Sequence, residues 1–269
     1  MPGAETFDLL SAFLADLWPL VGLTQSALLA GFIVFLRVGA AMAALPAFGE
    51  QMLPLRIRLA AALAFTFVVT PAVADRVMPL TAAGDVIGPF LLTETVAGLA
   101  LGLMLRLFVL ALQTAGAIVA QTISLSQLFG GAAPEPQPVV SNLLTMAALA
   151  LAAALGLHVR LAEYLVLSYD MLPPGRLPEA RELSAWGLSW VASSFALAFT
   201  LAAPFVIGGA LYNVAIGAIN RAMPALMVSF IGAPAQVLGG ITLLAVLLPV
   251  MLGLWWEAFA HALTLPATP

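Results

Sequence analysis

The sequence lacks cysteine and lysine and is poor in charge of either sign. With no cysteine among 269 residues, disulfides, iron–sulfur clusters and thiolate metal sites are excluded. All nine basic residues are arginines, and 13 acidic residues give a net charge of −4, so there is no basic surface for nucleic acid. Charged residues make up 8% of the chain, against about a quarter in soluble domains, and 63% of the residues are apolar. These figures exclude a water-soluble globule and indicate a protein embedded in a membrane or in an apolar assembly.

Side chains that could carry chemistry are also scarce. His158 has no second histidine or carboxylate four residues away, and His261 stands alone near the end of the chain, so the grouped ligands that a metal site needs are missing. The stretch Gly187–Trp190 is weakly similar to the Gly-x-Ser-Gly of rhomboid-type intramembrane proteases, but its second glycine is absent. A serine at a helix interface is the simpler interpretation. The sequence therefore predicts no enzyme, no metal and no cofactor.

What the sequence does contain is apolar segments of great length. There are six of them, Val21–Phe48, Leu59–Ala74, Val86–Leu125, Val139–Tyr169, Trp186–Ile219 and Leu226–Leu265. Most approach or exceed the ~20 residues of a spanning helix, and they are far longer than strands. The fold class predicted is therefore all-α, with long helical hairpins, in an integral membrane or assembly-embedded protein.

Two features argue against six simple membrane spans. As one helix, Val86–Leu125 would be about 60 Å long, twice the ~30 Å hydrocarbon core. The arginines also fail to set an orientation. If the linkers alternate sides, one side receives Arg56, Arg58 and Arg221, and the other receives Arg76, Arg176 and Arg181. The positive-inside rule then gives a tie, and the sequence predicts six helical regions, not six spans.

Ionisable and small residues inside the apolar segments point to helix packing. Six ionisable residues lie inside or beside the apolar segments: Arg37, Glu94, Arg106, His158, Arg160 and Glu163. Such groups either form proton or ion relays or pair at an interface with another helix or subunit. Arg160 and Glu163 are three residues apart on a predicted helix and can pair with each other. Because the chain has no dense series of Asp, Glu and His, pairing is favoured. Gly98 with Gly102, and Gly116 with Ala120, have the four-residue spacing that lets helix backbones approach closely.

The stretch from Ile123 to Gly131 is different in kind, because it mixes bulky apolar groups with glycine between two long segments. Irregular backbone at membrane depth persists only inside protein or beside water. Such a stretch suits a hydrophobic pore constriction that gates by excluding water. An ordinary surface turn is the alternative that the residues leave open.

The residues from Asn220 to Pro234, Asn-Arg-Ala-Met-Pro-Ala-Leu-Met-Val-Ser-Phe-Ile-Gly-Ala-Pro, closely resemble the signature of the FliR family. FliR proteins belong to the flagellar export gate, and their relatives in virulence-type secretion systems are the SctT proteins. Weaker pieces agree in order along the chain: Arg37–Gly39, Pro46–Gly49, Pro54–Arg58 and Thr114–Gly116. The resemblance covers nearly the whole chain.

The resemblance implies a function in protein export. Proteins of this family assemble with FliP and FliQ into a gate in the bacterial inner membrane, at the flagellar basal body, with FlhB around it and FlhA nearby. The gate passes unfolded flagellar subunits. The alternatives are a gate subunit of a virulence-type system or, from another class, a small-solute transporter, which should show matching halves that this sequence lacks.

The resemblance also implies an organisation and a set of site residues. A single domain, residues 1–269, would consist of a FliP-like part, 1–185, and a FliQ-like helical hairpin, 186–265. The expected pore plug comprises Ile123, Leu125, Leu128, Phe129, Gly130 and Gly131. The expected assembly and packing residues are Asn220, Arg221, Pro224, Gly232 and Pro234, of which Pro224 would separate the two hairpin helices and Gly232 would allow close approach.

Overall fold

A computed structural model describes residues 25–45, 54–82, 87–123, 139–223 and 228–264. Within these ranges every regular element is an α-helix, which confirms the predicted fold class. The seven helices are α1 Gln25–Ala44, α2 Leu55–Ala82, α3 Ile87–Ile123, α4 Val139–Ala154, α5 Leu157–Met171, α6 Ala180–Ala222 and α7 Val228–Leu263.

Three of the helices are far longer than a bilayer requires. Helix α3 has 37 residues, α6 has 43 and α7 has 36, which correspond to about 55, 65 and 54 Å at 1.5 Å per residue. Each is continuous, so the excess length predicted for these segments is confirmed. In the described part of the chain, five helices are long and apolar enough to cross a membrane, or six if α4 and α5 count as one broken span.

The segment predicted as one helical region, Val139–Tyr169, is in fact two helices. Helices α4 and α5 have 16 and 15 residues and are bent by 80° at a short break. Gly156 lies in that break with a φ of +80°, a conformation that other residues rarely adopt. At about 23 Å each, neither helix can cross a hydrocarbon core alone.

Helix α2 extends beyond the predicted segment at both ends and contains Pro71 and Pro79. A proline inside a helix removes one main-chain hydrogen bond and normally ends it. Here Val69, Val73 and Val77 recur every fourth residue and are fully buried. Their shared buried face continues past Pro71 and holds the helix together to Ala82.

The chain forms two compact units. Among the described residues, unit 1 contains α1, α2, the first part of α3, up to Leu103, and most of α5 with the chain up to Glu179. Its packing is tightest where α3 meets α1. A methyl group added at Gly98 would overlap the main-chain carbonyl of Arg37, and one at Gly102 would overlap that of Ala41. The close approach predicted for this glycine pair is confirmed.

Among the described residues, unit 2 contains the rest of α3, from Met104, together with α4, the start of α5 up to Arg160, α6 and α7. Helix α7 packs against both α6 and α4. Tyr212 of α6 contacts Gly232 of α7 near their connection, and a methyl group added at Gly208 would lie 3.8 Å from Leu243 further along. These contacts make α6 and α7 an antiparallel hairpin. At Gly116, α3 leaves no room for a side chain against Ser141 of α4, whose hydroxyl donates to the Gln113 carbonyl at 2.8 Å.

Candidate functional site

The most enclosed polar site of unit 1 is an ion pair between α1 and α3. Nε of Arg37 donates to Oε2 of Glu94 at 2.8 Å, and the side chains are 1% and 0% exposed. Pairing, the interpretation favoured for the six ionisable residues in or beside the apolar segments, is confirmed for Arg37 and Glu94. Among the described residues Arg160 and Glu163 do not form the ion pair that their spacing allows, and Arg160 lies near the Trp256 ring. Since burying a charge is costly unless it is paired and hydrogen-bonded, the remaining polar atoms of Arg37 and Glu94 also need partners.

Those partners come from the end of α5 and the chain that follows it. The Nη1 atom of Arg37 donates to the carbonyl and the hydroxyl of Ser168, at 3.2 and 3.3 Å. Its Nη2 atom donates to the Leu172 carbonyl at 2.8 Å, and the Gly175 N–H donates to Oε1 of Glu94 at 3.0 Å. We call these five residues, Arg37, Glu94, Ser168, Leu172 and Gly175, the Arg37 cluster. It ties α1 and α3 to the connection between α5 and α6.

Two ring contacts restrict the Arg37 cluster further. The guanidinium of Arg37 lies 3.8 Å from the ring centroid of Tyr169, which adds a cation–π contact to the ion pair. Gly175 has a φ of +78°, and a methyl group there would lie 2.8 Å from the ring of Phe90. Both its backbone conformation and its surroundings therefore restrict this position to glycine.

The Arg37 cluster is suited to holding the connection between α5 and α6, because both of its charged groups are fully used in hydrogen bonds within the cluster. Each carboxylate oxygen of Glu94 accepts one hydrogen bond, and all three nitrogens of Arg37 donate. Elsewhere in the described residues, no group of three or more His, Asp or Glu side chains could hold a metal ion.

In unit 2, the C-terminal end of α3 is fixed between the two hairpin helices. Ile123, the last residue of α3, is buried, and a methyl group added at Gly240 of α7 would overlap its side chain. Nε2 of Gln236 donates to the Thr122 carbonyl at 2.7 Å. On the α6 side, a methyl group at Gly209 would lie 3.5 Å from Cβ of Thr122. We call this arrangement of Thr122, Ile123, Gly209, Gln236 and Gly240 the α3 anchor.

Of the predicted plug residues, the structure places only Ile123, which belongs to the α3 anchor. The other predicted plug residues, Leu125, Leu128, Phe129, Gly130 and Gly131, lie outside the described residues. The anchor therefore positions the point from which the predicted plug departs.

The predicted assembly residues lie around the connection between α6 and α7. Asn220 and Arg221 are exposed in the last turn of α6, and Pro234 is exposed inside α7. Gly232 is buried against α6, where a methyl group would lie 3.1 Å from the Tyr212 hydroxyl, and that hydroxyl donates to the Gly232 carbonyl. Pro224 lies outside the described residues.

At the opposite end of the hairpin is an aromatic cluster. The Trp255 indole is fully buried and donates to the Phe108 carbonyl of α3 at 3.0 Å. The Phe108 ring makes edge contacts with Trp190 and Phe259, at centroid distances of 5.6 and 5.7 Å. Next to this cluster, the Arg160 guanidinium lies 5.5 Å from the centroid of the Trp256 ring.

Several of these residues were not singled out by the sequence analysis. Gln236 is an amide inside a long apolar segment, a signal for an interhelical hydrogen bond that could have been used. Gly175 and Ser168 carried no such signal, because glycine is abundant in this chain and Ser168 accepts from Arg37 through its carbonyl as well as its hydroxyl.

Comparison with known proteins adds to this geometry. Residues 28–262 match the model of the family described as bacterial export proteins, family 1. The flagellar biosynthetic protein FliR of Caulobacter vibrioides is 33% identical over 233 residues, which cover 86% of this chain and 93% of that protein. The FliR proteins of Escherichia coli and Pectobacterium carotovorum are 28% and 26% identical, each over 82% of this chain and 84% of theirs. The chain belongs to family 1 of the bacterial export proteins, the family that includes the flagellar protein FliR.

Proposed function

We propose that this chain is a subunit of the flagellar protein-export gate and forms its pore together with FliP- and FliQ-like subunits. Family membership over residues 28–262 supports a function in export. All three relatives described above are flagellar proteins, and this favours a flagellar system over a virulence-type one.

The observation that carries the proposal is the exposed apolar surface of α6. Large apolar side chains are exposed along nearly the whole helix, namely Leu188, Phe195, Phe199, Val206, Ile207, Leu211, Val214 and Ile219. From Leu188 to Ile219 this surface extends about 46 Å, against a hydrocarbon core of ~30 Å. Lipid tails can cover only part of it, and the rest requires apolar surface of other proteins.

The organisation proposed for the gate is the one that the family resemblance implies. Residues 1–185 would take the place of a FliP-like subunit and residues 186–265 that of a FliQ-like hairpin, with FlhB- and FlhA-like proteins nearby. The site would be the inner membrane at the basal body. In this assembly the chain forms part of the wall of a conduit for unfolded flagellar subunits and performs no bond chemistry of its own.

The stretch after Ile123 is proposed as the closure of that conduit. A plug works only if its base is fixed, and the α3 anchor fixes Thr122 and Ile123 between α6 and α7. Bulky apolar residues such as Leu125, Leu128 and Phe129 can exclude water and ions from a narrow pore and still yield to a polypeptide.

Co-expression tests the gate assignment. A tagged chain produced with FliP- and FliQ-like subunits and extracted in mild detergent should elute with both subunits as one complex. The chain produced alone should aggregate, because its long apolar surface has no protein partner. A monodisperse monomer that does not bind either subunit would contradict the proposal.

A packing variant connects this assembly to the hairpin. Replacing Gly232 with leucine forces a branched side chain against Tyr212 and Ile216, so we expect a lower yield of complex and loss of motility. Normal yield from this variant would remove Gly232 from the proposed assembly residues.

Deleting Leu125 to Phe129 tests the plug separately. Cells that express the deletion should leak ions and small solutes and grow poorly, while the yield of complex stays normal. If the complex forms and the membrane stays tight, the principal barrier lies in another subunit. A variant with five Gly/Ser residues in place of the deleted ones controls for loop length.

A further inference from the structure

Helix α2 has two sharply different faces. One side carries the buried valines Val69, Val73 and Val77. The other side is exposed over consecutive turns and consists of Leu63, Ala64, Phe67, Val68, Pro71 and Ala72. We call these six residues the outer face of α2. Phe67, at 86% exposed, is the most exposed large apolar side chain in the described residues.

The outer face of α2 offers nothing polar to a neighbour. Between Arg58 and Asp75, the polar side chains are those of Thr66 and Thr70. The Thr66 hydroxyl donates to the Ala62 carbonyl and the Thr70 hydroxyl donates to the Thr66 carbonyl, both at 2.7 Å. Polar groups that face hydrocarbon must find their hydrogen-bond partners within the protein. Both hydroxyls of this stretch do so within the helix.

The charges at the two ends of α2 are spaced like the two surfaces of a bilayer. Phe67 lies nine residues after Arg58 and nine before Arg76, or about 13.5 Å from each along the helix. Half of a hydrocarbon core is about 15 Å. Arg76 pairs with Asp170 at 2.7 Å, and both side chains are substantially exposed, 40% and 56%, as expected at a watery surface.

We infer that the outer face of α2 is the surface through which this chain contacts lipid hydrocarbon, and that Phe67 marks the bilayer midplane. The exposed apolar surface of α6 is about 46 Å long, too long for lipid alone. The outer face of α2 lies between Arg58 and Arg76, which are about 27 Å apart along the helix, and the exposed Leu55 and Ile57 lie beyond Arg58. Length and charge spacing thus assign the two exposed surfaces to different neighbours. The inference does not depend on the identity of the protein partners.

Spin labels on single cysteines test the assignment, since the chain has no cysteine of its own. Leu63, Phe67 and Ala72 are replaced one at a time by cysteine, labelled, and measured in the purified assembly reconstituted into phosphatidylcholine vesicles. Val69→Cys, on the buried face of the same helix, is the matched control. Val214→Cys, on α6, tests the contrast between the two surfaces.

We expect collisions with oxygen to exceed collisions with a water-soluble nickel chelate at all three outer-face labels, with the largest ratio at Phe67. The label at Val69 should be shielded from both reagents. Shielding of all three outer-face labels would show that another protein covers the face and would overturn the inference. Chelate access at Phe67 would overturn it as well, because the face would then lie in water.

A second substitution guards against loss of folding. If Phe67→Cys does not assemble, Ala64→Cys changes volume much less and lies on the same face, so it gives the same readout. Failure of the proposed gate function is recognised independently, because FliP- and FliQ-like subunits would then be missing from the purified sample while the label on α2 still reports lipid.

Discussion

The two compact units of this chain are held together by different chemistry. Both ion pairs found among the described residues lie in unit 1, and one of them, Arg37–Glu94, is completely enclosed. In unit 2 the polar links are single side-chain donors on main-chain carbonyls, such as Gln236 on Thr122 and Trp255 on Phe108. Ion pairs therefore hold unit 1 together, whereas unit 2 is held together by close helix packing and by isolated hydrogen bonds.

The units also differ in how far each covers its own helices. In the most apolar 18 residues of each helix, 44% are buried in α1 and 22% in α2 of unit 1, compared with 28% in α6 and 11% in α7 of unit 2. The aromatic cluster and the α3 anchor bury the inner side of the hairpin and leave its outer side open. Of these four helices α1 is the most covered within the chain, whereas α2 and both hairpin helices leave most of their apolar surface exposed.

The largest effect is expected from breaking the Arg37 cluster. Glu94→Leu leaves the buried guanidinium of Arg37 without its counterion and the Gly175 N–H without its acceptor. Removal of one partner from a buried pair costs about 3–5 kcal/mol. We expect a large fall in the apparent melting temperature of the complex in detergent, measured by fluorescence-detected size exclusion.

The exposed ion pair provides the control for this experiment. Asp170→Asn removes the partner of Arg76 on the surface of the same unit, and exposed pairs contribute about 0–1 kcal/mol. The double variant Arg37→Met, Glu94→Leu should recover part of the loss, because no unpaired charge remains. If Glu94→Leu is no worse than Asp170→Asn, the enclosed pair does not fasten unit 1.

The next largest effect concerns the crossing of α1 and α3. Gly98→Ala places a methyl group on the Arg37 carbonyl, a backbone atom that can move only with its helix. Overpacking of this kind costs about 1–3 kcal/mol. Gly31→Ala is the matched control on α1, since a methyl group there has no neighbour within 4 Å. We expect the first variant to lower the melting temperature and the second to leave it unchanged or raise it. Equal effects would contradict the close crossing.

The same comparison can be made in unit 2 with two adjacent residues. Gly240→Ala would overlap the side chain of Ile123 in the α3 anchor, while Gly239→Ala meets nothing within 4 Å. Because a side chain can adjust where a backbone carbonyl cannot, we expect a cost near the lower end of about 1–3 kcal/mol for Gly240→Ala. Its melting temperature should fall between those of Gly98→Ala and Gly239→Ala. A loss at Gly239 as large as at Gly240 would assign the effect to a partner surface instead.

The sequence predicted the parts of this structure that depend on local spacing. Gly98 and Gly102 are four residues apart in an apolar run, and that spacing alone places both on one helix face. The sequence also predicted that Arg37 would be paired, but not with which residue, because a lone charge in apolar surroundings needs a partner. The great length of α3, α6 and α7 was predicted because an unbroken apolar run is a local feature of the sequence.

The rest depends on contacts between distant segments. Arg37 and Leu172 are 135 residues apart, and the acceptor on Leu172 is its backbone carbonyl, which every residue possesses. Gly156, which lies in the break between α4 and α5, is one of 22 glycines, and composition does not distinguish a left-handed glycine from one inside a helix. The α3 anchor combines residues from three helices, so no single segment carries its pattern.

The smallest effect is expected from removing one hydroxyl in each unit. Tyr164 of unit 1 is buried and donates to the Leu101 carbonyl at 3.2 Å, and Tyr212 of unit 2 is half-buried and donates to the Gly232 carbonyl. Both acceptors belong to continuous helices and keep their main-chain donors when the hydroxyl is lost. A phenylalanine at either position retains the ring, so the change measures one hydrogen bond, worth about 0.5–1.5 kcal/mol.

A hydrogen bond is stronger in surroundings of low polarity, and its loss is less easily replaced there. We therefore expect Tyr164→Phe to lower the melting temperature by more than Tyr212→Phe, with both changes smaller than that of Gly240→Ala. Measurement of the melting temperatures of both variants in the assembled complex compares the two units directly. If Tyr212→Phe lowers the melting temperature more than Tyr164→Phe does, the hairpin relies on this hydrogen bond more than its exposure implies. Unit 2 would then depend on hydrogen bonding as well as on helix packing.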